Sequence, residues 1–306
     1  MHWACLMRSC KAFAAIGAGC LAASCTTWAQ IVAPVSERAA DAPAGRLADA
    51  PPLRPLWELG IGAAALRLPD YRGADQSRTY ALPLPYVVYR GTWLKADRDG
   101  ARALLLDTER VKVDVSLAAS TPTRSSNNTA RAGMPDLAGT AEIGPNLNLT
   151  LAGGERRDWR LDLRLPVRAA FSLQRSPRLV GTTFSPHLNL DCDVGGWHVG
   201  LQAGPLFADR KYHEHFYGVD AAYATATRAA YAAHGGYGGW NALAATSRRF
   251  GPMWVGAFVR HDSLRGATFE PSPLVRSRSA LTLGIGVAWV LAQSSELVSE
   301  RVPGTD

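Results

Sequence analysis

Ser279-Ala280-Leu281-Thr282-Leu283-Gly284-Ile285-Gly286-Val287-Ala288-Trp289-Val290-Leu291 is the stretch whose reading decides the fold. Leu281, Leu283, Ile285, Val287, Trp289 and Leu291 alternate with Thr282, Gly284, Gly286, Ala288 and Val290, so one face is bulky and apolar and the other small. The period is two, that of a strand, and not the 3.6 of a helix. A run of about 11 residues suffices for a tilted strand to cross bilayer hydrocarbon, and Trp289 stands near one end, where a membrane interface would fall. A soluble β-sandwich strand carries the same alternation, so the choice turns on recurrence and on export.

The pattern recurs. Val111, Val113, Val115 and Leu117 alternate with Lys112, Asp114 and Ser116; Leu147, Leu149 and Leu151 with Asn146, Asn148 and Thr150; Trp159, Leu161, Leu163 and Leu165 with Arg160, Asp162 and Arg164. In a sandwich the ionic faces would look at bulk water. In a barrel they would line the lumen, where Arg160, Arg164, Lys112 and Asp114 are placed to pair across the bore. Upstream, Trp57, Leu59 and Ile61 alternate with small or polar residues, and Tyr80 to Tyr89 reads as a bent or irregular strand because Pro83 and Pro85 interrupt it. Short runs lie around Trp93 and Leu104 to Leu106, on either side of Asp97-Arg98-Asp99-Gly100. Further strands are expected over Thr183 to Asp191, Trp197 to Phe207, Ala221 to Ala233, Tyr237 to Arg249 and Met253 to Arg260. From Trp57 to Leu291 this gives an all-β, up-and-down antiparallel barrel of roughly 12 strands (10–12), and an even number returns both barrel ends to the periplasmic side.

Residues 1–29 supply the export signal. Arg8 and Lys11 give positive charge, Phe13 to Ser24 is small and apolar, and Thr27-Trp28-Ala29 resembles a cleavage site before Gln30. Leu21-Ala22-Ala23-Ser24-Cys25 offers a rival lipoprotein reading, with the Leu one place too far from Cys25. Residues 30–55, rich in Ala, Pro, Asp and Arg, cannot bury enough surface to offset ordering entropy and read as a disordered leader. Residues 56–291 make the barrel, and 292–306 a polar tail.

Composition excludes other classes. The chain is 47% hydrophobic and 19% charged with mean hydropathy −0.06, and outside the N-terminus it has no run of about 20 apolar residues for a membrane helix. The formal charge of +7 becomes +5 once Arg8 and Lys11 leave with the signal. The remaining cations are scattered singly among acids, which argues against nucleic acid as a partner. Four of five cysteines, Cys5, Cys10, Cys20 and Cys25, fall in the signal, leaving Cys192, so neither a disulfide framework nor a four-ligand zinc site is available.

Candidate chemistry is sparse. His213-Glu214-His215 would place two imidazoles on one strand face, yet two ligands make no metal site. Asn127-Asn128-Thr129 reads as loop chemistry, and Gly235-Gly236-Tyr237-Gly238-Gly239 lacks the Lys-Ser/Thr of a phosphate loop and reads as a turn or a place of close packing. Asp220 with Glu214 is a carboxylate pair with nothing to mark it as convergent. The expectation is no catalytic, cofactor or metal residues, and no enzyme.

Several ordered motifs resemble the MipA/OmpV family of outer-membrane proteins: Pro69-Asp70-Tyr71-Arg72-Gly73, Pro83-Leu84-Pro85-Tyr86-Val87-Val88-Tyr89-Arg90, Arg131-Ala132-Gly133-Met134-Pro135-Asp136-Leu137 with Glu142-Ile143-Gly144-Pro145, Tyr212 to Val219, and Asp262-Ser263-Leu264 with Pro271-Ser272-Pro273-Leu274-Val275. The resemblance covers about Leu56 to Leu291. It implies an outer-membrane barrel in contact with lipid, without catalytic residues. It also implies a scaffold role in murein synthesis and remodelling, with a lytic transglycosylase and a bifunctional murein synthase as partners. A small-solute channel, or a surface antigen without a murein role, is the alternative. Barrels of this kind usually finish on an aromatic residue, whereas this chain runs on from Trp289-Val290-Leu291 into the polar tail.

Overall fold

The computed structural model describes residues 53–91, 94–97, 100–108, 110–154 and 158–299. The expected signal, Cys25 and most of the leader lie outside the described residues. The chain opens with β1 (Leu53–Pro55), β2 (Trp57–Pro69), β3 (Ser77–Arg90), β4 (Leu94–Asp97) and β5 (Gly100–Asp107). It continues through β6 (Val111–Ala119), β7 (Thr140–Gly153), β8 (Trp159–Ser172), β9 (Leu179–Phe184), β10 (His187–Val194) and β11 (Trp197–Ala208). A helix, α1 (Arg210–Tyr217), precedes β12 (Gly236–Phe250), β13 (Met253–Ser263), β14 (Ser279–Gln293) and β15 (Leu297–Ser299).

From β2 to β14 the strands pair antiparallel with their neighbours, and β14 returns to β2 with Leu283 opposite Arg67 and Gln293 opposite Glu58. The sheet is therefore a closed ring. Strands β9 and β10 occupy one place in it, end to end between β8 and β11, broken at Ser185-Pro186. The ring thus has twelve strand positions. Pairing runs from neighbour to neighbour right round, as strands in lipid require, with one irregular sector: β4 and β5 are short and, among the described residues, leave the outer parts of β3 and β6 without a ladder partner on that side.

The deciding stretch behaves as its alternation requires. Ile285 and Leu291 are 61% and 67% exposed on the outer wall, while Ala288 is fully buried inside. The small inner face has a packing reason. A Cβ on Gly284 would collide with the Phe258 ring and crowd Leu66 Cδ2 at 2.7 Å, so glycine there makes room for bulky lumenal side chains. Leu66, Tyr86, Val88, Trp254, Phe258 and Ala288 form an apolar cluster inside the barrel, on β2, β3, β13 and β14.

Trp57 and Gln293 share one rim, as an even strand number demands. Connections at this rim span only two to five residues. Those at the other rim reach 27 residues, over 209–235. Short turns with the chain ends mark the periplasmic rim, long loops the outer one.

Three expectations are corrected. Strand β3 is continuous through Pro83 and Pro85, which pair with Ala63 and Ile61. Proline is tolerated because β3 meets β4 only at Tyr89 and Arg90, so among the described residues the stretch holding both prolines has β2 as its one ladder partner. Ala221 to Ala233 is not a strand: Ala221–Tyr223 is a 3-10 turn in an outer loop. Finally, Leu53–Pro55 and Leu297–Ser299, read as leader and tail, pair with each other beneath the periplasmic rim.

Candidate functional site: the outer cap and the lumen beneath it

Four outer loops, 70–76, 120–139, 209–235 and 264–278, fold together over one mouth of the barrel. Their shared core holds Tyr71, Leu137, Phe216, Tyr217, Phe269 and Leu274, all buried. The Tyr217 and Phe269 rings stack at 3.6 Å and 7°, with Tyr71 edge-on to Tyr217 at 6.4 Å and His213 edge-on to Phe269 at 4.6 Å. Gly73 turns with φ of +100° beneath Leu264, whose Cδ1 would lie 2.9 Å from an added Cβ.

Hydrogen bonds tie each loop to the next. Tyr71 donates to the Leu274 carbonyl at 2.8 Å, Tyr217 to the Arg72 carbonyl at 2.9 Å and Ser272 to the Tyr217 carbonyl at 2.7 Å. Asp70 accepts from Arg78 at 2.6 Å and from Asn128 at 2.9 Å. Arg228 donates to the carbonyls of Ala130 and Ala132 at 3.0 and 2.9 Å. The backbone groups of irregular chain are thereby satisfied by side chains where no ladder can serve them. Burial pushes the Tyr71, Tyr212 and Tyr217 phenols up, keeping them neutral donors.

The cap is bolted to the lumen wall at two places. Arg72 donates to Asp262 on β13 at 2.8 Å, and Arg260 approaches the same carboxylate at 2.8 Å. On the opposite wall Tyr212 donates to Glu142 on β7 at 2.9 Å, and Thr183 on β9 to the other oxygen of Glu142 at 3.1 Å.

Below the cap the bore has two chemistries. The wall of β2, β3, β13 and β14 is apolar. The wall of β6, β7, β8 and β10 is ionic, and Lys112, Asp114, Arg160 and Arg164 stand on its inner face, as their alternation predicts. Arg160 pairs with Asp162 at 2.9 Å and Arg164 with Asp191 on the adjacent strand at 3.7 Å, while Asp114 accepts from Asn146 and Asn148 at 3.1 and 2.9 Å. At the periplasmic end the buried Glu58 carboxylate is clamped by Arg90 at 2.8 Å and Arg249 at 2.6 Å.

The His213-Glu214-His215 reading changes. The three lie on α1, where residues two apart point about 200° from each other, so the imidazoles share no face. His213 Nδ1 bonds the His234 carbonyl at 2.7 Å, His215 Nε2 bonds the Ala138 carbonyl at 3.0 Å, and Glu214 accepts from the Ala233 amide at 2.6 Å. All three hold loops in place. Among the described residues no group of three His, Cys, Asp or Glu side chains is placed to bind a metal. Glu214 and Asp220 do not converge: the first is engaged in the cap and the second is exposed. In the Gly235 to Gly239 run, Gly238 lies beside the His213 ring and a Cβ on Gly239 would strike the Ser263 carbonyl, the close packing expected of it.

Comparison with known proteins adds a family. The family model described as MltA-interacting protein MipA matches residues 61–291. No curated protein matches. Among solved structures, outer-membrane phospholipase A from Escherichia coli aligns at 11% identity, covering 78% of this chain and 94% of that one, with TM-score 0.28. A porin aligns at 11% identity over 76% and 100%, TM-score 0.29, and the P. putida toluene transporter TodX at 10% over 79% and 68%, TM-score 0.24. The barrel assignment rests on the closed hydrogen-bonded ring itself.

Proposed function

Because the chain belongs to the MltA-interacting protein MipA family, we propose that this outer-membrane β-barrel is a non-enzymatic scaffold whose periplasmic rim holds a lytic transglycosylase beside a murein synthase. The observation that carries the reading, beyond the family name, is the closed outer mouth: a hydrogen-bonded loop core covers it, and Trp254 and Phe258 occupy the bore. A barrel built this way serves as an anchor rather than a conduit. Leu53–Pro55 and Leu297–Ser299 pair beneath the rim, with Leu53 and Leu297 exposed, and give the periplasmic side a short apolar ledge. The test is crosslinking in intact cells, then purification of the heat-modifiable barrel. Both murein enzymes are expected to be captured, and capture is expected to weaken when Leu53 and Leu297 become Asp. Recovery of the folded barrel with neither enzyme overturns the proposal.

A channel for small solutes is the second reading, favoured by the ionic wall of Arg160, Asp162, Arg164 and Asp191. Planar-bilayer recordings separate the two. The scaffold reading expects conductance near background, and sustained single-channel currents from the wild-type barrel would favour the channel.

A further inference from the structure

We propose that the outer wall over β9, β11 and β12 is a binding site for a phosphorylated, acylated lipid of the outer leaflet. The first observation is a group of four cations that make no ion pair among the described residues. Arg175 and Arg178 are exposed on the turn between β8 and β9, and Arg210 and Lys211 are exposed on the first turn of α1. The two segments meet where Thr182 and Asp209 exchange hydrogen bonds, the Thr182 amide donating to the Asp209 carboxylate at 2.9 Å and the Asp209 amide to the Thr182 carbonyl at 3.0 Å. No acidic residue stands in the first turn of α1. Arg210 and Lys211 meet the unfavourable end of the helix dipole, and the N-cap carboxylate beside them, Asp209, is already engaged by the Thr182 and Tyr212 amides. An anion at the rim would reverse the sign of that interaction.

The second observation is independent of the first. The outer wall below holds a groove of about 410 Å³ between Leu188, Leu201 and Val259, floored by Ala203, Ala242 and Ala244. Register makes the floor continuous, with Ala203 opposite Ala242 and Leu201 opposite Ala244. The small side chains stand beside outward Leu188, Leu201 and Val259, with His261 opposite Ala242 at one edge, and they leave a furrow of the kind an acyl chain fills. Between furrow and cations, Phe184 stacks on Phe207 at 6.3 Å and Phe207 touches Tyr237 at 5.8 Å, an aromatic belt at interface height. Ala203 lies five residues below the end of β11 at Ala208, roughly 17 Å along the strand at 3.3 Å per residue, with α1 opening just above, a span of the order of headgroup to mid-chain of one lipid. The charge above and the furrow below together select an anionic amphiphile. A free phosphate would leave the furrow unused, and an uncharged lipid would leave the cations unanswered.

The test is native mass spectrometry of the detergent-purified, heat-modifiable barrel titrated with a bis-phosphorylated, multiply acylated disaccharide lipid. Its mono-phosphorylated form, phosphatidylcholine and inorganic phosphate are the comparison probes. Two variants are compared: Arg175→Gln/Arg178→Gln/Arg210→Gln/Lys211→Gln, and the furrow-filling Ala203→Leu/Ala242→Leu. The wild type is expected to retain the bis-phosphorylated lipid at least about tenfold better than phosphatidylcholine, since each basic residue near an anionic surface contributes to attraction. The charge variant should lose that preference while keeping background lipid. The furrow variant should weaken retention of every acylated probe. Equal retention of all lipids by all three proteins would mean ordinary annular contact and overturn the proposal. So would binding of inorganic phosphate that survives filling the furrow and competes with the lipid completely.

Discussion

Replacing Phe269 with Ala should open the cap while leaving the barrel closed. The ring is 1% exposed, lies flat on Tyr217 at 3.6 Å and receives the edge of His213 at 4.6 Å. Truncating a fully buried Phe costs about 3–5 kcal/mol through lost transfer energy and the cavity left behind, and the stacked pair contributes about 1 kcal/mol beyond area. Taking about 4 kcal/mol, the equilibrium between closed and open cap shifts by roughly a thousandfold. Amide hydrogen exchange on the detergent-solubilised protein reads this directly. Protection over 209–235 and 264–278 should fall by about three orders of magnitude, while amides of β2 and β12 to β14 hold theirs and the unboiled gel band keeps its position. Truncation of Leu281, half exposed on the lipid face, is the control and should leave the cap untouched. Unchanged cap protection in Phe269→Ala would show that the ring stack does not hold the loops together. Equal loss in strands and loops would show that cap and barrel are one cooperative unit.

The cap should also loosen in acid. Burial holds the His213 and His215 imidazoles below their ordinary value, so the open cap takes up protons first; its stability is full above about pH 6.5 and falls as the pH drops below it. Limited proteolysis at pH 7.5 and 5, with a protease active at both, should cut 209–235 faster at the lower pH, and equal rates would contradict this. At the periplasmic end, Glu58→Ala strands two guanidiniums, Arg90 and Arg249, in a buried site. A loss of about 3–5 kcal/mol is expected, seen as a lower temperature for loss of the fast-migrating band. Gly284→Ala forces the Phe258 ring off its place, and about 1–3 kcal/mol of overpacking should appear in the same assay. Gly284→Ala combined with Phe258→Leu should recover most of it.

How much was legible in the sequence follows from what each part must satisfy. The wall was legible because lipid outside and a filled bore inside impose a period of two on every crossing, so Ser279 to Leu291, Val111 to Leu117 and Trp159 to Leu165 announce themselves. Ala221 to Ala233 imitates that period with alternating small residues, yet no partner strand is within reach, and its backbone is served instead by local turns and the pairing of Val219 with Tyr231. Helix α1 was missed because eight residues give too little helical period to read. Its signal was Asp209, whose carboxylate caps the Tyr212 amide at 2.8 Å. The cap as a whole was illegible because Tyr71, Leu137, Phe216, Phe269 and Leu274 come from four loops far apart in the chain, and no local pattern links them.

The family-like motifs divide unevenly between those parts. Pro83 to Arg90 and Glu142 to Pro145 lie in the wall, the second carrying the Glu142 bolt, while Pro69 to Gly73, Arg131 to Leu137, Tyr212 to Val219, and Asp262 to Leu264 with Pro271 to Val275 converge on the cap and its bolts. A wall position asks only for an apolar or a small side chain, and many residues answer. A cap position asks for one ring at one angle or one hydroxyl at one carbonyl, and few do. Most of the motifs therefore sit on the outer side, and Pro83 to Arg90 alone reaches the periplasmic rim, where murein enzymes would bind on the scaffold reading. On the scaffold proposal the cap serves only to close the bore, so the two ends should be separable. Phe269→Ala should gain conductance in planar bilayers while still capturing both enzymes, and Leu53→Asp/Leu297→Asp should lose the enzymes while remaining closed. A cap variant that loses its partners without unfolding would show the ends to be coupled and would move the reason for the motifs from sealing to signalling.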